Sequence, residues 1–179
     1  LLANKKVAEF IGKKKGREKP KTFVYRIHDV PNPEKLSTFF QFVTKLGYKM
    51  NISSEKNLAK SFNALFQQIA GKGEEHMIET IAIRTMAKAE YSTENIGHYG
   101  LAFPYYTHFT SPIRRYPDLL VHRLLDYYLQ GKPSVNQAEY EEMCKHASEA
   151  ERNAVEAERD SVKYKQAEFL LDKIGQEFE

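Results

Sequence analysis

At 179 residues, 41% hydrophobic and 28% charged, the chain has the composition of one globular domain with a substantial core. Its single cysteine, Cys144, excludes an intrachain disulfide and a cysteine-built zinc site and fits a reducing, cytoplasmic setting; no apolar run reaches membrane-spanning length. The net charge of +3 is too small to define a partner by itself. The chain opens on Leu1-Leu2, already inside a helical pattern, which predicts a fragment of a longer protein. Leu2 to Ile11 reads as helix, ended by Gly12 and Gly16. Lys5, Lys6, Lys13, Lys14, Lys15, Arg17, Lys19 and Lys21 face only Glu9 and Glu18 across this stretch, which is either a patch for a nucleic-acid backbone or a solvated helix end. Thr22 to His28 is rich in β-branched and aromatic residues and predicts a short strand. After Pro31 and Pro33, Glu34 to Leu46 is helical, with Leu36, Phe39, Phe40, Val43 and Leu46 on one face and Gly47 closing it. Ser53 or Ser54 caps a helix from Glu55 to Ala70 that points Leu58, Phe62, Leu65, Phe66 and Ile69 inward. A further helix runs from Glu74 to Tyr91, with Met77, Ile78, Ile81, Met86 and Ala89 in core positions. His98 to Phe103 reads as a short strand ended by Pro104.

The next stretch, Thr110-Ser111-Pro112-Ile113-Arg114-Arg115-Tyr116-Pro117-Asp118, carries the densest chemistry. Ser111 suits a helix N-cap and Pro112 the first helical position, where its missing N–H costs nothing. A helix start favours anions, and Arg114 and Arg115 add planar donor forks matched to phosphate oxygens. Phe103, Tyr105, Tyr106, Phe109 and Tyr116 surround them with rings on which bases can stack. Pro117 opposes one continuous helix from Pro112, so either a short turn precedes a helix near Pro117 or the helix kinks there. Val121, Leu124, Leu125 and Tyr128 form its buried stripe, and Gly131 and Pro133 end it. From Asn136 a long helix reaches toward Lys173, with Tyr140, Met143, Ala147, Ala150, Ala154, Ala157 and Ser161 on one face. Glu158 borders that tight face and needs a partner there, from the arginine cluster, from a ligand, or from Arg152 or Arg159 on its own helix. The expected architecture is mainly α with a few short strands.

The segments Gly97-His98-Tyr99-Gly100-Leu101-Ala102, Tyr106 to Leu119 and His122-Arg123 together resemble the catalytic (RNB) domain of the ribonuclease II / ribonuclease R family, on its ribonuclease R side. The resemblance extends upstream to Tyr25-Arg26-Ile27-His28-Asp29 and downstream to Ala157-Glu158-Arg159-Asp160. It implies part of a processive, magnesium-dependent 3′→5′ exoribonuclease that hydrolyses single-stranded RNA to nucleoside 5′-monophosphates. It makes Arg114 the phosphate-contacting arginine of the active site and places Glu158 beside the bound nucleotide. His108, Thr110, Ser111, Arg115 and Tyr116 join them as candidate RNA-binding residues.

The family's metal-holding aspartate cluster has no counterpart in this sequence, nor do its cold-shock and S1 domains. Residues 1–179 are therefore expected to be the C-terminal portion of an α/β RNB domain, holding substrate-positioning residues, no metal ligands, and no activity alone. Two rivals stand beside this reading. One is a non-catalytic RNA-binding or scaffold module that kept the phosphate site. The other is a small metal-dependent hydrolase built on His98, His108, Asp118 and His122.

Overall fold

A computed structural model of the chain describes residues 1–13, 20–50 and 55–176; the cap expected at Ser53 or Ser54 and the basic residues Lys14, Lys15, Arg17 and Lys19 fall outside them. The elements are α1 (Leu2–Gly12), β1 (Tyr25–Ile27), α2 (Pro33–Lys45), α3 (Glu55–Ile69), α4 (Glu75–Thr85), β2 (Glu90–Ser92), a 3₁₀ turn (Tyr99–Leu101), α5 (Tyr116–Leu129), α6 (Gln137–Leu170) and a second 3₁₀ turn (Leu171–Lys173). The architecture is mainly helical with short strands, as the periodicity predicts. Among the described residues no helix is long and apolar enough to cross a membrane.

By packing the chain divides into two units. One comprises Arg26–Ala89 and Ile96–Pro104. Its core joins Leu36, Phe39 and Val43 of α2, Leu58, Phe62, Leu65 and Ile69 of α3, and Ile78 and Ala82 of α4. Phe39 and Phe62 stack with centroids 5.6 Å apart. Each such large apolar side chain contributes about 1.5–3 kcal/mol on burial. The Asn32 side chain caps α2, accepting from the Glu34 and Lys35 N–H groups at 3.0 and 3.2 Å. Gly47, at φ +89°, turns the chain out of it in a backbone conformation that only glycine adopts without strain.

Three expectations fail in this unit. Leu46 and Met77 are 42% and 45% exposed rather than core, because α2 ends at Lys45 and the inward row of α4 is Ile78, Ala82 and Thr85. The helix predicted to Tyr91 stops at Thr85, where Met86 turns extended and the Thr85 hydroxyl donates to the Ala82 carbonyl at 2.6 Å. His98 to Phe103 is no strand: Ala102 is left-handed (φ 53°), so the segment curls until His98 and Phe103 face each other.

The other unit comprises Leu1–Tyr25, Glu90–Asn95 and Tyr105–Glu179. Phe23, Val24, Val121, Leu124 and Cys144 are almost wholly buried in it. Extended backbone is held by side chains at its margins: Thr107 donates to the Val24 carbonyl (2.7 Å), Tyr128 to that of Thr22 (2.7 Å), and Asn4 to the Tyr106 hydroxyl (3.1 Å). The N-terminal half of α6 docks on β2. The Ser148 hydroxyl accepts the Tyr91 N–H at 2.9 Å, while the Glu141 carboxylate accepts from the Ser92 hydroxyl and from the Thr93 N–H and hydroxyl. From Arg152 to Leu171 the helix is exposed throughout.

Candidate functional site

The motif 110–118 is a turn followed by a helix. Both the Arg114 and Arg115 N–H groups point back to the Ser111 carbonyl, at 3.3 and 3.1 Å. Of the two alternatives the short turn before a helix holds: α5 starts at Tyr116, with Arg115 rather than Ser111 at the cap position. The reason is Pro117: a helix running from Pro112 would drive its ring against the Ile113 carbonyl, whereas in the first turn of α5 it removes no hydrogen bond. Ser111 takes another part, donating its backbone N–H to Asp118 Oδ1 at 2.8 Å.

The two arginines separate. Arg115 Nη2 binds Asp118 Oδ1 at 2.9 Å, and Asp118 is completely buried. Arg114 is exposed and lines a cavity of about 860 Å³. Arg115, still partly exposed, Tyr91, Tyr116 and Pro117 line it too, and α6 supplies Met143, Ala147, Ala150 and Ala154 with Glu142, His146 and Glu151. A cation thus stands at a concave surface with a largely apolar lining, which suits a phosphate attached to a flat ring.

The remaining candidates divide as follows. Tyr116, 49% exposed, lines the cavity beside Arg114. Thr110 is exposed and Ser111 half-buried. His108 is half-buried; its Nδ1 and the Tyr91 hydroxyl are hydrogen-bonded at 2.8 Å, and its ring makes T-shaped contacts with Tyr91 and Tyr106. It does not line the cavity. Glu158 is exposed, one turn beyond Ala154, and does not line the cavity. The tight contact of α6 lies instead at Cys144 and Ser148. Burial pushes the Cys144 thiol up to about 12, which makes it inert.

His146, Glu142 and Glu151 are cavity residues that the sequence did not single out. Their only signal is placement on the same helical side as Ala147, Ala150 and Ala154. The basic patch is partly neutralised where it is described: Glu9 lies 3.1 Å from Lys6 and 3.7 Å from Lys13, and Lys21 donates to the Lys132 carbonyl at 2.7 Å.

Metal chemistry finds no support in these side chains. Among the described residues no three His, Cys, Asp or Glu side chains group to hold an ion. Asp118 Oδ1 serves Ser111 and Arg115, and His122 Nε2 donates to the Phe109 carbonyl at 2.8 Å. Asp118 and His122 are thus engaged by protein groups, and among the described residues no cluster of ligands fits a magnesium centre.

Comparison with known proteins adds an independent line. The profile of the RNB domain matches residues 1–131. Ribonuclease R 1 of Lactococcus lactis subsp. lactis (strain IL1403) is 42% identical over 162 residues, 88% of this chain and 20% of that protein. Ribonuclease R of Escherichia coli (strain K12) is 35% identical over 190 residues, 99% of this chain and 23% of that protein. The chain thus spans about a fifth of the length of these relatives. The structure is similar to that of Mycoplasma genitalium RNase R in complex with ribose methylated single-stranded RNA, with TM-score 0.82, 26% identity and coverage of 98% of this chain and 28% of that one. It also resembles the yeast pseudonuclease Ssd1, with TM-score 0.65, 28% identity and coverage of 83% and 18%.

Proposed function

The chain belongs to the RNB domain family, and on that premise we propose that it is the substrate-gripping portion of a 3′→5′ exoribonuclease of the ribonuclease R type. Its substrate is single-stranded RNA and its products are nucleoside 5′-monophosphates. Arg114 holds the phosphodiester, with the ring of the attached nucleoside against Tyr116 and the alanine face of α6. Magnesium, for which the described residues offer no cluster of ligands, would be held by carboxylates outside residues 1–179. The observation that carries this reading is the exposed Arg114 guanidinium at a cavity with an apolar lining, beside Arg115, which lines the same cavity while one of its nitrogens is held by Asp118.

A guanidinium fixed at a phosphate favours the negative charge that develops there during hydrolysis. In the complete enzyme Arg114→Ala lowers turnover by about 10²–10³, the usual cost of one preorganised donor. Arg114→Lys recovers little, since an ammonium lacks the bidentate fork. Release of nucleoside 5′-monophosphates from an oligoribonucleotide measures both variants, and an unchanged rate in Arg114→Ala rejects the assignment. Residues 1–179 alone, given magnesium, bind the oligonucleotide and release none of its nucleotides; measurable release means the chain holds its own metal centre.

The likeness to a pseudonuclease supports a second reading, an RNA-binding module without catalysis. The two part at the complete protein: magnesium-dependent shortening of RNA belongs to the enzyme, and binding without shortening belongs to the module.

A further inference from the structure

The loop that carries Arg114 is gripped by two side chains on successive turns of α5. Asp118 is 0% exposed, and its Oδ1 accepts from the Ser111 N–H at 2.8 Å and from Arg115 Nη2 at 2.9 Å. Its Oδ2 and the Nε of Arg115 are buried with no further hydrogen-bond partner. One turn on, His122 Nε2 donates to the Phe109 carbonyl at 2.8 Å, and its ring stacks on Phe109 with centroids 4.0 Å apart and planes 8° from parallel. The anchored residues, Phe109 and Ser111, flank Thr110 and immediately precede the turn that bears Arg114.

A buried carboxylate is costly, and an apolar side chain of similar size would fill the position more cheaply. This one occupies two donors that belong to the loop itself. It ties the Ser111 backbone to the helix and holds Arg115 by one nitrogen, leaving Arg114 the more exposed of the pair at the cavity. His122 anchors the same loop by a hydrogen bond and a ring face. A loop ordered before the ligand arrives spares binding the entropy of ordering it, which is the usual source of preorganised affinity.

We infer that Asp118 and His122 are positioning residues that act through Arg114: they fix the loop from Phe109 to Arg115 and aim one guanidinium at the RNA phosphate. The inference rests on the reading of Arg114 as the phosphate ligand.

The test is a double-mutant cycle on residues 1–179, read as the affinity for a short fluorescein-labelled oligouridylate by anisotropy. Far-UV circular dichroism establishes folding of each variant. Asp118→Asn is expected to weaken binding about fivefold when Arg114 is present and less than about twofold in the Arg114→Ala background, since a residue acting through another contributes nothing once the other is gone. His122→Phe, which keeps the ring stack and loses the N–H, is expected to show the same coupling. It decides the matter alone if Asp118→Asn loses its helical signal. Equal losses in both backgrounds, or no loss where Arg114→Ala itself weakens binding, overturn the inference and leave the reading of Arg114 intact. Binding by Arg114→Ala as tight as by the unaltered chain overturns that reading and this inference with it.

Discussion

At the scale of the residue, neighbouring side chains of one type part company through single contacts. The family resemblance singles out Arg114 as the phosphate ligand and leaves Arg115 a candidate beside it. What separates them is Asp118, three positions past Arg115 on α5, whose burial shows only once the helix is docked. The same holds for His108, whose neighbours in the sequence give no sign of the Tyr91 hydroxyl that meets its Nδ1. His98 offers a measurable case. Burial chiefly, with the charges of His28 and Arg26, brings its imidazole down from 6.5 to about 4, and its Nδ1 accepts the Leu101 N–H. Between those values the unfolded chain binds a proton that the folded chain refuses. The stability this histidine contributes is therefore complete above about pH 6.5 and is lost as the pH falls toward about 4. Urea midpoints at neutral pH and at about pH 5 should differ less in His98→Gln than in the unaltered chain. An identical difference in both removes His98 from the acid response.

At the scale of the element, what the sequence carried best was periodicity, and what it carried worst was where periodicity stops. The inward rows of α2 and α3 follow the 3.6-residue repeat, apart from Leu46 beyond the end of α2. The end of α4 did not show, because Ala87, Lys88, Ala89 and Glu90 are compatible with helix, and the pull that straightens them is the pairing of Tyr91 and Ser92 with side chains of α6. The start of α5 was half legible: Pro117 raised the objection, and the structure resolves it as a turn and a late start. At the end of α1, Gly12 is buried, and a Cβ there would press on the Tyr25 hydroxyl and lie 3.0 Å from the Tyr105 ring. Tyr25 is itself fixed in the core, its phenol pushed up to about 12 by burial. Gly12→Ala should therefore destabilise the chain by about 1–3 kcal/mol despite alanine's better helix propensity. Equilibrium denaturation reads the sign, and a stabilised variant would mean that Tyr25 moves freely.

At the scale of the whole molecule, the family was legible because the motif residues between Gly97 and Arg123 are adjacent in the sequence. The cavity was not, because its wall comes from a helix that begins after Gly131 and beyond the matched profile. That helix, α6, runs 34 residues, about 51 Å at the usual rise. Its first half is anchored at Glu141, Cys144 and Ser148, while its second half leaves Val162, Tyr164 and Phe169 facing water. Helices in proteins draw most of their stability from tertiary packing, and this one receives it at its first half. Deuterium uptake along α6 should be graded, with amides near Phe169 exchanging at least about tenfold faster than those near Ser148. Mass spectrometry of peptides from the two halves measures the ratio, and uniform protection would reveal a cover over the distal half. Glu158 lies on the unsupported side of that boundary, so its carboxylate is carried on backbone that opens and closes, while Ala147 stays pinned at the wall beside Arg114.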